Sequence, residues 1–198
     1  MLQPPTAKEF LQTFLETYNK SLGEANQTDK VWDNWTAFMT GRQGKSDGYY
    51  EKKPVLERTA EKLGLKHERE YLRLDLVFFP SGDPWGTFVA LEHEHNAAGF
   101  VEEIVKLMSV LAPLKVGITY DFREDPQPQS KLVQLIQKDF STRHPSILEV
   151  PQTEYLFLLG VGTAPETLRW KYLAFTCAQG PSNEFLDADE EPRAAGAS

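Results

Sequence analysis

One cysteine, Cys177, is all that the 198 residues contain, so no intrachain disulfide can form and a reducing compartment is the expected setting. Its neighbours Leu173-Ala174-Phe175-Thr176 mark it as a small apolar packing residue rather than a nucleophile. Long hydrophobic runs are missing too, since no stretch approaches the roughly 18 apolar residues that a membrane span requires. The amino terminus, Met1-Leu2-Gln3-Pro4-Pro5, has no basic segment followed by an apolar one, and a cytoplasmic protein with no membrane attachment is therefore expected. Positive charge is in deficit: 21 Lys and Arg stand against 29 Asp and Glu, a net charge of −8. Five acids and Arg193 follow Gly180, which leaves 20 basic and 24 acidic groups in residues 1–180. Such a body lacks the positive field that draws proteins to phosphate backbones, so any nucleic-acid partner would need a local basic patch. Candidates are Arg42 with Lys45, and Lys52, Lys53, Lys66 and Arg69. No Walker sequence or nucleophile elbow occurs, and Gly160-Val161-Gly162 lacks the third glycine of a dinucleotide fingerprint, which makes it a turn.

What is present suits a packed core. Hydrophobic residues make up 40% of the chain and charged residues 25%, the balance of a globular domain. Its length suits one domain over residues 1–180, with a helical extension at the amino end and an acidic, disordered tail at 181–198. Phe10, Leu11, Phe14, Leu15 and Tyr18 recur at helical spacing and predict a helix over 6–21, with Gly23 just past its end. A loop rich in Gly, Lys and Ser is expected from Gly41 to Gly48, and a helix from Tyr49 to Leu63, with Pro54 near its start or at a kink. Tyr71–Phe79 is a nearly unbroken apolar run, the mark of a strand covered on both faces. Further strands are predicted at 87–95, 114–120, 154–161 and 168–177, and helices at 99–111 and 129–140. The alternation predicts an α/β protein with a mixed central sheet flanked by helices.

The chemistry lies in three acids on the first two of those strands. If they form a hairpin symmetric about the Pro80–Gly86 turn, Phe79 faces Phe88 and Asp75 lies opposite Glu92. Side chains alternate with period two, so Glu94 falls on the same face about 7 Å further along. Three carboxylates in an apolar sheet centre cannot all stay ionised unless protons or a cation neutralise them, and hard oxygen donors suit Mg²⁺ or Mn²⁺. A register shifted by one residue would put Asp75 on the other face and dissolve the site. The competing reading pairs Asp75 with Arg73 and makes the glutamates the solvated end of an edge strand.

A helix bearing Glu57, a strand with Asp75, a hairpin into Glu92-His93-Glu94, a helix from Gly99 and the strand Leu114–Tyr120 together resemble the PD-(D/E)XK nuclease superfamily, over about residues 49–120. The resemblance implies a restriction-endonuclease-like fold and Mg²⁺- or Mn²⁺-dependent phosphodiester hydrolysis. It makes Asp75, Glu92 and Glu94 the metal and catalytic acids, with Glu57 completing the shell. The chain departs from the pattern where Glu94 replaces the usual lysine: either Glu94 acts as base and second metal ligand, or catalysis has been lost. Lys106 is the other candidate for that lysine, but it points about 170° from the stripe of Phe100, Ile104, Leu107 and Leu111, in position to pair with Glu102.

Two rival functions remain. Glu92-His93-Glu94-His95, joined by His67, would form a zinc hydrolase site, although His93 and His95 share the face of Val89 and Leu91 and point away from the glutamates. A nuclease-fold protein without catalysis would act instead as a binding or assembly module through Trp32, Trp35 and Trp85.

Overall fold

The computed structural model describes residues 2–25, 35–41, 53–82, 86–96, 99–121, 126–142, 150–164 and 167–188. The first helix, α1 (Ala7–Glu24), begins where Thr6 accepts the Glu9 N–H and Glu9 returns a bond to the Thr6 N–H, a reciprocal cap that satisfies two orphan donors. It buries Phe10, Leu11, Phe14 and Tyr18 and runs on through Gly23. A short helix, α2 (Trp35–Thr40), places Trp35 in the core at 2% exposure, edge-on to Tyr18 and Tyr120. Trp35 is thus a packing residue and not a surface anchor; Trp32 and Trp85 lie outside the described residues. Helix α3 (Val55–Lys62) starts later than the sequence suggests because Pro54 is its N-cap; Tyr49–Lys52 lie outside the described residues.

Seven strands follow in chain order: β1 (Leu65–Arg69), β2 (Leu76–Pro80), β3 (Val89–His93), β4 (Leu114–Asp121), β5 (Glu154–Val161), β6 (Arg169–Thr176) and β7 (Leu186–Asp187). They stand side by side in that order in one sheet. Helix α4 (Phe100–Met108) crosses between the parallel pair β3 and β4, and α5 (Pro126–Thr142) crosses between the parallel pair β4 and β5; the other neighbours are antiparallel. The outcome is the mixed sheet with flanking helices that the alternation predicts.

Two elements differ from expectation in ways that matter for the site. The apolar run from Tyr71 is not one strand. Tyr71–Arg73 forms a 3-10 turn flanked by left-handed Glu70 (φ 54°) and closed by left-handed Arg73 (φ 69°). The reason is β1, which no periodicity marked: it ends at Arg69 opposite Leu76, so the chain must reverse within the intervening residues. At the other end the chain stays ordered beyond Gly180, because β7 pairs with Tyr172 and Lys171 of β6 and Phe185 is buried. Residues 181–188 are therefore not part of a disordered tail, and residues 189–198 lie outside the described residues.

The sheet separates two cores. On one face α1, α2 and α3 bring Phe10, Trp35 and Leu56 against Phe78, Leu91 and Ile118. On the other, α4 and α5 bring Phe100, Ile104 and Ile136 against Val77, Ala90 and Phe157. Between them they bury most of the large apolar side chains, the dominant favourable contribution to folding. Cys177 is half-buried against the second core.

Candidate acidic centre

The hairpin register is Leu76 with Leu91, Val77 with Ala90 and Phe78 with Val89. Continued by one pair, that register sets Asp75 opposite Glu92, on the face of Val77 and Ala90 and thus under α4. Asp75 immediately precedes β2, and its Oδ2 accepts the His93 N–H at 2.9 Å. No ion pair joins it to Arg73 among the described residues, and Arg73 is exposed.

Glu92 is only 1% exposed; no N–H or hydroxyl donor reaches its carboxyl oxygens, and it shares a side-chain hydrogen bond with the Glu103 carboxylate. Burial, the Asp75 charge and the neighbouring Glu103 push its pKa up to about 9, against the opposing pull of Lys106. At neutral pH the metal-free side chain accordingly holds its proton. The cation beside it is the Lys106 ammonium, with Nζ 3.9 Å from Glu92 Oε1.

That contact corrects the helical-wheel reading of Lys106. Its ammonium is bonded not to Glu102 but to Glu103, one turn back on α4. Glu92 stands at the end of β3, where it meets the flank of α4 carrying Glu103 and Lys106 rather than the helix's apolar stripe. A wheel projects side chains radially and takes no account of a four-carbon stem that bends toward a buried acid. Burial works against the ammonium charge. The Glu103 bond and the charges of Glu92, Glu103 and Asp75 outweigh it and raise the Lys106 pKa. Sequence reasoning missed Glu103; the available signal was its place three residues before Lys106.

Glu94 lies just beyond the end of β3, where regular alternation stops. Its N–H donates to Ile118 O at 2.9 Å, and its Oε1 accepts from the Asn96 N–H at 3.2 Å and Nδ2 at 2.9 Å. A Cβ on Gly99 would come within 3.1 Å of the Glu94 carboxyl carbon, so glycine there lets the loop close over it. The Glu94 carboxylate is held by this loop and is not among the charges acting on Glu92.

Glu57 is placed on the other side of the sheet. Its helix, α3, packs into the first core through Val55, Leu56 and Ala60. Its Oε2 meets Arg69 at 3.1 Å and His67 Nε2 at 3.6 Å. The sheet thus stands between Glu57 and the Asp75–Glu92 pair. Of the expected basic patch, Arg69 is engaged here and Lys53 pairs with Glu61 at 2.6 Å; Lys66 is exposed. Arg42, Lys45 and Lys52 lie outside the described residues.

The histidines do not converge. His93 Nε2 lies 2.9 Å from the Tyr120 hydroxyl in the first core. Desolvation, with the nearby His95, lowers its pKa to about 3, so the ring is neutral. His95 is exposed, and His67 sits on β1, two strands from β3. Among the described residues no group of three or more His, Cys, Asp and Glu side chains is disposed to hold a metal ion. Asp75 and Glu92 nevertheless match one ion type in kind, because Mg²⁺ takes one or two carboxylates and keeps several waters. The Glu92 oxygens, which no N–H or hydroxyl donor reaches, are what such an ion would satisfy.

Elsewhere, an apolar groove of about 650 Å³ runs between α1 and strands β5 and β6, on the sheet face opposite Glu92. No helix among the described residues is long and apolar enough to cross a membrane. No family model, no curated protein and no solved structure matches this chain.

Proposed function

We propose that the Asp75–Glu92 centre carries out Mg²⁺- or Mn²⁺-dependent hydrolysis of a phosphodiester, in a nuclease-like protein with a restriction-endonuclease-like core. The observation that carries this reading is the Glu92 carboxyl group, fully buried beside Asp75 and Glu103 with no N–H or hydroxyl donor to either oxygen. A buried glutamate satisfied only by another carboxyl group costs stability and is kept where a ligand completes it. The order α3, β1, β2, β3, α4, β4 supports the fold part, with three antiparallel strands followed by a parallel crossover.

The divalent ion, when bound, supplies charge neutralisation and an activated water for in-line attack. The chain's own groups do the rest. Asp75 and Glu92 would hold the ion, and the backbone N–H of His93 fixes one Asp75 oxygen. Lys106, half-exposed at the mouth, offers a positive charge to an anionic oxygen of the substrate. Glu94, whose carboxylate is bonded to Asn96, is given no role at the ion.

Calorimetric titration of Mn²⁺ into the wild type and into Asp75→Asn tests the reading. Binding to the wild type that is lost in the variant is the expected result. A wild type that binds no Mn²⁺ overturns it and leaves the alternative, a catalytically inactive nuclease-fold protein acting as a binding or assembly module. Two observations favour that alternative: the acidic balance of the chain and the engagement of Lys106 by Glu103.

A further inference from the structure

Lys106 has two carboxylates within reach and is bonded to only one of them. Its ammonium is joined to Glu103, and the gap to Glu92 Oε1 stays open at 3.9 Å. Glu103 and Lys106 are three residues apart on one flank of α4, so their side chains meet without distorting the helix. Their exposures differ usefully: 14% for Glu103, 44% for Lys106 and 1% for Glu92. Lys106 therefore spans the distance from solvent to the buried acid, with Glu103 as its anchor.

We infer that Glu103 is a positioning residue, which holds the Lys106 ammonium at the mouth of the acidic centre and keeps it from closing onto Glu92. Without that anchor the lysine stem would fold down onto the Glu92 carboxyl group, 3.9 Å away, and take the place of an incoming cation. Tied to Glu103, the ammonium instead faces outward at the height where a substrate phosphate oxygen would arrive. The role in substrate binding rests on the hydrolase reading above. The anchoring of Lys106 by Glu103 does not. Glu102, the partner expected from i, i+4 spacing, is exposed and makes no ion pair among the described residues, which makes it the internal control.

The experiment uses the full chain with Glu103→Ala, Glu103→Gln, Lys106→Gln, the Glu103→Ala/Lys106→Gln double variant and Glu102→Ala. The first readout is the rate at which limiting acetic anhydride acetylates Lys106, followed by peptide mass spectrometry. The rate is expected to fall about 3- to 10-fold in Glu103→Ala, as the ammonium closes onto Glu92 and is shielded, and to hold at the wild-type value in Glu102→Ala. Glu103→Gln, which keeps an acceptor oxygen without the charge, is expected between the two. The second readout is binding of fluorescein-labelled mixed-sequence oligonucleotides, as single- and double-stranded DNA and RNA, in Ca²⁺ so that any cleavage is suppressed. Each single variant at 103 and 106 is expected to weaken binding about 5- to 10-fold, and the double variant no further, because the two residues act as one unit.

An unchanged Lys106 acetylation rate in Glu103→Ala overturns the anchoring. Additive losses in the double variant, or no oligonucleotide binding by the wild type, overturn the positioning role. The Mn²⁺ titration of Asp75→Asn reports separately on the hydrolase reading. A changed acetylation rate in a chain that binds no Mn²⁺ would leave the anchor standing and remove only its use in catalysis.

Discussion

Replacing Glu92 by Gln should change how stability depends on pH, by an amount that follows from its surroundings. The folded carboxyl group titrates at about 9 against an ordinary value of 4.5, because both its oxygens are buried beside Asp75 and Glu103. Above pH 4.5 the unfolded chain ionises this group and the folded chain does not, so the unfolded state gains. The stabilising contribution is fully present below pH 4.5 and is lost as pH rises toward 9, at about 1.4 kcal/mol per pH unit. From pH 4.5 to about 7 that amounts to roughly 3 kcal/mol for one side chain. Gln fills nearly the same space and cannot ionise, so Glu92→Gln escapes this loss. Urea unfolding in EDTA across that range, with free energies from linear extrapolation, measures the gap between the two proteins. The gap should widen in favour of Glu92→Gln as pH rises, and Mn²⁺ added near neutral pH should narrow it by stabilising the wild type alone. A gap that stays constant between pH 4.5 and about 7 would refute the buried, protonated Glu92 on which the proposed site rests.

Gly117→Ala should destabilise the fold by about 1–3 kcal/mol, seen as a lower thermal midpoint, because the added Cβ would lie 2.5 Å from Phe100 and 2.8 Å from Phe157. Phe100 opens α4, so the same variant should also alter the Lys106 acetylation rate. Glu57→Gln should leave Mn²⁺ affinity unchanged and cost at most about 1 kcal/mol, since its partners Arg69 and His67 are on the other face and solvated; a loss of binding in calorimetry would return Glu57 to the site. His93, held neutral with a pKa near 3, works in the opposite sense from Glu92: its contribution is present above pH 6.5 and is lost as pH falls toward 3. His93→Gln should therefore resist acid better than the wild type in urea titrations below pH 6.5, and an identical acid limb would count against the burial of the ring.

The parts of the site that follow from backbone alternation were legible in the chain itself. A strand turns successive side chains to opposite faces, so a hairpin symmetric about the Pro80–Gly86 turn puts Asp75 opposite Glu92 and sends His93 the other way; the unbroken apolar runs 76–79 and 88–91 left a one-residue shift open, and the observed pairing decided between the two. The same logic marked β5 over 154–161 and the helices α1, α4 and α5, whose apolar positions recur at helical spacing over several turns. Strand β1 left no such mark: Leu65–Arg69 has one buried residue and a charged outer edge, as an edge strand tolerates.

What the tertiary structure alone decided concerns which layer each element joins and how far each side chain reaches. Glu57 has the residue type and helix position of a site acid, but the packing of Val55, Leu56 and Ala60 carries it to the far side of the sheet. The Tyr71–Phe79 run looks like a strand throughout, yet pairing of β1 with β2 forces its first residues into a left-handed reversal. Trp35 is as hydrophobic on a surface as in a core, and only its neighbours Tyr18, Phe38 and Tyr120 put it inside. Lys106 found Glu103 and Glu92 because α4 presents its flank to the end of β3. Local periodicity fixes the direction of a side chain relative to its own backbone, whereas its partners depend on how separate elements are brought together by burial of their apolar faces.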